Sequence, residues 1–191
     1  MSTQPFDPAR YKAGQRREWD TAAPGLKDWG LVLGPELQPV SERMLELAGI
    51  QPGSRVLDVA TGPGEPAVTA AHRVGPAGHV LATDLGRERA AELGLHNIDF
   101  REMDAEALDL PEQSFEIVLC RFGLMYMPDP QVALERMHKL LVPGGRWKWP
   151  YGSCRCRRLH PRCPVHLAWP IHAGWSSSSR GQALLRYILS Q

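Results

Sequence analysis

Between residues 36 and 146, short apolar runs rich in Val, Ile and Leu alternate with stretches of helical periodicity, and a glycine-rich loop joins the first run to the next helix. These observations predict an α/β fold with a doubly wound, mostly parallel sheet, because strand–helix–strand units close as right-handed crossovers that place helices on both faces. A third observation locates the function within that fold. Acidic residues recur at or just beyond the ends of the runs, which is where an open parallel sheet collects its ligands.

The elements follow in order. Over 36–48, Leu37, Val40, Met44, Leu45 and Ala48 recur at helical spacing, and Gly49 stands where a left-handed stop is needed. QPGS makes a turn, and RVLDVA (55–60) reads as a short buried strand. TGPGEP is a loop and AVTAAHRV a helix, after which HVLATD (79–84) forms a second strand ending in an acid. A short helix, RERAAEL, leads through Gly94 to a third strand around 98–101, and FEIVLCRF (115–122) is the fourth. PDPQVALERMHKLL is a helix with Pro130 in its first turn and PGG (143–145) as its stop.

Composition bounds the alternatives. A chain of 191 residues, 43% of them hydrophobic, can bury a sizeable core and is not a disordered polymer. Its net charge of +1 conceals a division. Residues 1–146 carry 15 basic and all 21 acidic residues, net −6, whereas 147–191 carry seven basic and no acidic residues, net +7. The same final segment holds three of the four Cys, four of the six Trp and three of the seven His. A seam near residue 146 therefore separates an N-terminal helical cap (1–35) and a core (36–146) from a basic tail of atypical composition (147–191). The opening MSTQPFDPARYK lacks an apolar run, no stretch approaches the ~18 apolar residues of a membrane helix, and the cysteines make no disulfide framework. The expectation is a cytoplasmic, reducing compartment with no membrane span.

The chemistry concentrates in DVATGPGEPA. Gly62 and Gly64 directly follow the first strand and precede a helix, so backbone can approach a ligand and turn sharply. Gly62-x-Gly64-x-x-Ala67 with Asp84 downstream also fits a dinucleotide fingerprint, which makes an NAD(P)-dependent oxidoreductase a rival reading. Asp58 argues for a different ligand. A carboxylate at that strand end opposes a pyrophosphate and suits a cationic group such as an amine or sulfonium. Asp104, beyond the third strand, supplies a third acid. Structural glycines with surface acids are the plainer alternative for each feature taken alone.

Asp58-Val-Ala60-Thr61-Gly62-Pro-Gly64, VLATD, REMDAEALDLPEQSFEIVLCRF and ALERMHKLLVPGGR occur in the order of the motifs of class I S-adenosylmethionine-dependent methyltransferases. Residues 36–146 resemble that family, in particular its ubiquinone/menaquinone-biosynthesis-type group, with Ala60 in place of the first motif's leading glycine. The resemblance implies a Rossmann-like methyltransferase core and S-adenosyl-L-methionine as cofactor. It implies a cofactor site of Asp58, Ala60, Thr61, Gly62, Gly64, Asp84, Leu85, Asp104, Ala105 and Arg121. In that site Asp58, Gly62 and Gly64 hold the methionine moiety and Asp84 accepts the ribose hydroxyls. Asp104 accepts from the adenine amino group, with the Ala105 amide reading the ring. The acceptor is a small molecule. No universal catalytic residue is expected, because alignment and water exclusion suffice for transfer from an activated sulfonium. Arg121, Phe122, Met125 and Tyr126 fall on the acceptor side. Arg121 could neutralise an anionic substrate or make a surface salt bridge, and core packing is the plainer role for Met125, Tyr126 and Met127. His138 serves as a base only if it faces the cleft. In the family an N-terminal helical segment often covers the cofactor, a role that Tyr11, Trp19 and Trp29 would fit.

Two departures set limits on that expectation. The connection from Asp84 to Phe100 is about two helical turns shorter than is usual in the family, and a helix of about seven residues is marginal without strong packing. After PGGR the apolar fifth strand gives way to WKWPYGSCRCRR and a segment broken by Pro150, Pro161, Pro164, Pro170 and four consecutive serines, with only 182–189 helical in pattern. An incomplete sheet edge is the expectation. An out-of-frame or alternatively spliced ending is the favoured reading of this tail: TGG AAG TGG CCN TAY GGN for WKWPYG, read one base back, can give L-E-V-A-V-W-G, the alternating strand of the family, with a suitable choice of codons. Two further readings are a zinc site from Cys154, Cys156, His160, Cys163 and His166, at spacing that matches no common finger, and a basic tail for nucleic acid. No metal and no nucleic acid are assigned on balance, and a non-catalytic remnant or regulatory binding protein stands beside the enzyme reading.

Overall fold

The computed structural model describes residues 6–84, 94–149 and 152–155. Its elements are α1 (Pro8–Ala48), β1 (Arg55–Val59), α2 (Ala67–Val74), β2 (His79–Asp84), β3 (Ile98–Glu102), β4 (Phe115–Leu119), α3 (Pro130–Leu140), β5 (Leu141–Trp149) and β6 (Gly152–Arg155). The sheet order is β3-β2-β1-β4-β5-β6. The first five strands are parallel and β6 pairs antiparallel with β5. The doubly wound sheet is present as expected. The helix expected at RERAAEL and the site residue Leu85 lie outside the described residues.

Alternation along the strands divides the core into two layers. Val56, Val80, Ala82, Ile98, Ile117 and Leu119 point to one face, where Met44, Leu45 and Ala48 of α1 and the alanines of α2 cover them. Leu57, Val59, Leu81 and Val118 point to the other, against Ala133, Leu134, Met137 and Leu140 of α3. The helix stops are chemical. Asp7 caps α1 by accepting from the Ala9 and Arg10 amides (3.0 and 3.2 Å), and Gly49 ends it at φ 68° with its N–H on the Leu45 and Glu46 carbonyls. Asp129 caps α3 through the Val132 amide, with Pro130 in the first turn.

Two expectations about the ends of the chain are corrected. The segment before residue 36 and the helix over 36–48 are one 41-residue helix, so the expected boundary at 35 falls inside α1. Pro24, Pro35 and Pro39 lie within it. Each removes a backbone donor, but the helix is anchored at both ends, by buried Met44 and Leu45 at one and by ion pairs of Lys12 and Arg16 at the other.

The sheet is also not short of its fifth strand. β5 follows α3 without a loop and pairs with β4 from Phe115–Leu141 to Leu119–Lys148. The pairing shifts between Phe115 and Ile117, which accommodates the PGG turn inside the strand. A Cβ on Gly145 would stand 2.9 Å from the Val142 carbonyl oxygen, so only glycine fits there. Beyond the seam, Trp147 is 5% exposed in the α3-side core and stacks at a tilt on Trp149, 4.9 Å between ring centroids. Trp147, Lys148 and Trp149 thus alternate as a strand should, and β6 covers the edge that sequence composition suggested was open. The described part of the tail ends at residue 155. The candidate zinc ligands Cys156, His160, Cys163 and His166, the basic stretch and the helix at 182–189 lie outside it, and the described residues hold no group of three or more metal-type ligands. No described helix is long and apolar enough to cross a membrane.

Because Trp147 fills core volume between β4 and α3, Trp147→Ala is expected to destabilise the protein by about 3–5 kcal/mol, read as a shift in the urea midpoint at unchanged slope.

Candidate active site

The carboxyl ends of β3, β2, β1 and β4 lie side by side, and the chain leaves β1 toward β2 on one side while β4 lies on the other, making a switch point between β1 and β4. Asp58 sits there. It points to the α1/α2 face, is fully buried, and neither carboxylate oxygen has a hydrogen-bond partner. Burial pushes its pKa up to about 7, with Glu65 and Asp84 adding to the rise and Thr61 and Arg121 opposing it. The buried Thr61 hydroxyl lies close enough to favour the carboxylate but makes no hydrogen bond within 3.5 Å.

The loop above Asp58 is built from left-handed backbone. Ala60, Gly62 and Gly64 have φ of 57°, 58° and 104°. Thr61 N–H donates to the Thr83 carbonyl (3.1 Å), which ties the loop to β2, and Gly62 N–H donates to Asp84 Oδ2 (2.7 Å). Alanine at 60 is therefore strained where the family motif has glycine. Its methyl group also lies against Gly123, where an added Cβ would collide with it and come within 3.0 Å of Cys120 Sγ.

Beyond β3, Asp104 caps a 3-10 turn, Ala105–Ala107, by accepting from Glu106 N–H at Oδ1 (2.9 Å). Its other oxygen accepts from Lys12 Nζ of α1 (2.6 Å), which also pairs with Glu106 (2.7 Å). Burial opposes the Lys12 ammonium, but its hydrogen bonds to the two acids more than offset this and raise its pKa. Beyond β4, Arg121 turns inward. Its Nη1 donates to Ser41 Oγ of α1 (2.8 Å) while Nε is buried without a partner. Burial lowers its pKa and the Asp58 charge works to raise it. The surface salt bridge considered for Arg121 is not the arrangement found. Met125 and Tyr126 are about two-fifths exposed, contrary to the expectation of core packing, because the 3-10 turn Gly123–Tyr126 carries them over the strand ends. Tyr126 meets Trp19 edge-on at 5.3 Å. Met127 does pack against the α3-side core.

Asp58, Ala60, Thr61, Gly62, Gly64, Asp84, Asp104, Ala105 and Arg121 therefore lie along one edge of the sheet. Lys12, Ser41 and Glu106 are additions that sequence reading missed. Ser41 had a faint signal, a polar residue beside Val40 in the stripe of buried apolar positions, whereas Lys12 had none.

A family model for the methyltransferase domain matches residues 56–145. The chain is 38% identical over 110 residues to the ubiquinone/menaquinone biosynthesis C-methyltransferase of Pseudomonas fluorescens, a match covering 53% of this chain and 43% of that one. Residues 56–145 thus match the methyltransferase domain of the S-adenosylmethionine-dependent class. A demethylmenaquinone methyltransferase of Listeria monocytogenes is 36% identical over 109 residues, 53% of this chain and 46% of that protein. Among solved structures, Burkholderia thailandensis 1,6-didemethyltoxoflavin-N1-methyltransferase, with its acceptor and S-adenosylhomocysteine bound, superposes with a TM-score of 0.63 at 25% identity, over 78% of this chain and 66% of that one. The matches span less than half the length of the curated relatives.

S-adenosylmethionine is the cofactor of this methyltransferase class, and the residues here fit it. An unpartnered buried carboxylate suits the cofactor's ammonium, and a loop of positive-φ glycines lets backbone come close to it.

Two outcomes follow for this methyltransferase domain. Ala60→Gly is expected to stabilise it by about 0.5–1 kcal/mol, the relieved left-handed strain exceeding the added chain entropy. Gly123→Ala should destabilise it, and the double variant should recover most of the loss, as read by a double-mutant cycle of denaturation. The second outcome concerns pH. Asp58 is protonated in both folded and unfolded chains below about pH 4. Its folded pKa lies above the unfolded value, so the stability tied to the bound proton is full below that pH and is lost as pH rises through about 7. Asp58→Asn should match the parent at pH 4 and exceed it at pH 8 by on the order of 4 kcal/mol, measured by urea denaturation at the two pH values.

Proposed function

We propose that this chain binds S-adenosylmethionine along the carboxyl edge of its sheet and transfers the methyl group to a small, planar, largely apolar acceptor. The observation that carries the reading is Asp58, a fully buried carboxylate with no hydrogen bond within 3.5 Å, beneath a glycine loop. An ionised carboxylate in that position is costly unless a cation arrives to pair with it, and the cofactor's methionine end supplies one. Asp58 would hold the ammonium, with Thr61 close by and Arg121 limiting the cost of the carboxylate's charge between visits of the ligand. Gly62 and Gly64 allow the backbone to lie against the cofactor. Asp84, already on the Gly62 amide, would orient the ribose hydroxyls, and Asp104 with the Ala105 amide would read the adenine.

The cofactor supplies an activated sulfonium methyl group. The residues of this chain then have to orient the partners and keep water away. The exposed Met125 and Tyr126 with Trp19 form the apolar border beside the strand ends where an acceptor would rest, and the curated relatives' names, which refer to quinone biosynthesis, support an acceptor of that general type. No side chain is assigned as a general base.

Isothermal titration calorimetry with S-adenosylmethionine, S-adenosylhomocysteine and NAD tests the reading. The first two are expected to bind and NAD not. Affinity should rise with pH up to about 7 and level off above, since the ammonium pairs with ionised Asp58. Asp58→Asn should weaken binding at least tenfold while leaving the domain folded. Binding of NAD alone would replace the proposal with an oxidoreductase. Cofactor binding without methyl transfer to any quinone-type acceptor would leave a non-catalytic binding protein.

A further inference from the structure

Three contacts hold the N-terminal part of α1 over the ends of β3 and β4. Lys12 reaches Asp104 and Glu106, Arg16 pairs with Glu102, and Trp19 meets Tyr126 edge-on. Positions 12, 16 and 19 recur at the spacing of one helical face, so a single stripe of α1 makes all three contacts. The first of them falls on a group the cofactor needs. Asp104 Oδ1 is committed to the Glu106 amide and Oδ2 to the Lys12 ammonium.

On the reading above, in which Asp104 accepts from the adenine amino group, we propose that Lys12 is an internal competitor for the adenine subsite and that α1 acts as a strap the cofactor must displace. An ammonium and an exocyclic amine make the same demand, donation to one carboxylate oxygen, and the charged donor makes the stronger bond. Lys12 has somewhere to go. Glu106 lies 2.7 Å from the same nitrogen and retains it when Asp104 turns to the adenine. The contact therefore lowers affinity without demanding that the helix unfold. By linkage, the cofactor loosens the strap by the same factor that the strap weakens the cofactor. Trp19, the α1 half of the apolar border with Tyr126, is carried on the same helix, so loosening at Lys12 frees the acceptor side when the donor is in place.

The test is calorimetric titration of S-adenosylhomocysteine into the full chain and into Lys12→Met, with an analogue lacking the 6-amino group of the purine as a second ligand. Lys12→Met is expected to bind S-adenosylhomocysteine about five- to tenfold more tightly, with little gain for the analogue, and Lys12→Arg should bind as the parent does. In parallel, S-adenosylhomocysteine should speed proteolytic cleavage within α1 of the parent chain. Equal or weaker binding by Lys12→Met, or an equal gain for both ligands, would overturn the competition while leaving the cofactor site standing. Absence of binding to parent and variant alike would overturn the cofactor reading itself, and the competition with it.

Discussion

At the end of the central strand, between β2 and β4, a carboxylate is held out of water without a hydrogen bond within 3.5 Å. Much of the site's architecture exists to make Asp58 tolerable. Parallel pairing brings β2 and β4 alongside and delivers Asp84 and Arg121 to the same edge. Arg121 in turn is kept inward by Ser41 of α1, so a helix contributes to the electrostatics of a strand end. The loop over the carboxylate can close only with left-handed backbone at three positions, one of them an alanine. A strand end arranged solely for stability would carry an apolar residue there, which is why the proposed reading gives Asp58 a ligand.

The long first helix connects core and site. Its C-terminal part is ordinary core, with Val40, Met44, Leu45 and Ala48 against the sheet. Its N-terminal part makes polar and aromatic contacts at the strand ends. The other end of the chain completes the sheet. Trp147, one residue past the seam in composition, packs in the α3-side core, and Arg146 donates to the Ala48 carbonyl (3.4 Å), so β5 is joined to both layers.

Local pattern was enough to read β1, β2, β3, β4, α2 and α3 close to their observed bounds, because alternation, helical spacing, caps and glycine stops are all short-range signals. Asp58, Gly62, Gly64 and Asp84 were legible for the same reason, each fixed by its offset from a strand end. The fifth strand was misread. Composition changes abruptly after Arg146, and that change outweighed the Trp147-Lys148-Trp149 alternation, which was the better guide to a strand. Met125 and Tyr126 were expected inside because they are large and apolar, but a 3-10 turn after the left-handed Phe122 directs them outward, and such turns leave little trace in hydropathy.

The sequence by itself determined the order of strands and helices, the glycine loop and the acids at the strand ends, all of which depend on residues a few positions apart. Only the tertiary structure decided that Asp58 is buried without a hydrogen bond within 3.5 Å, that Arg121 answers to Ser41 across 80 residues, and that Lys12 sits on Asp104 across 92. The physical reason lies in the range of the interactions. Backbone propensity and hydrophobic period act within a turn or two, whereas a carboxylate's charge state and its competitors depend on which distant groups the sheet and the long helix bring within 3 Å of it.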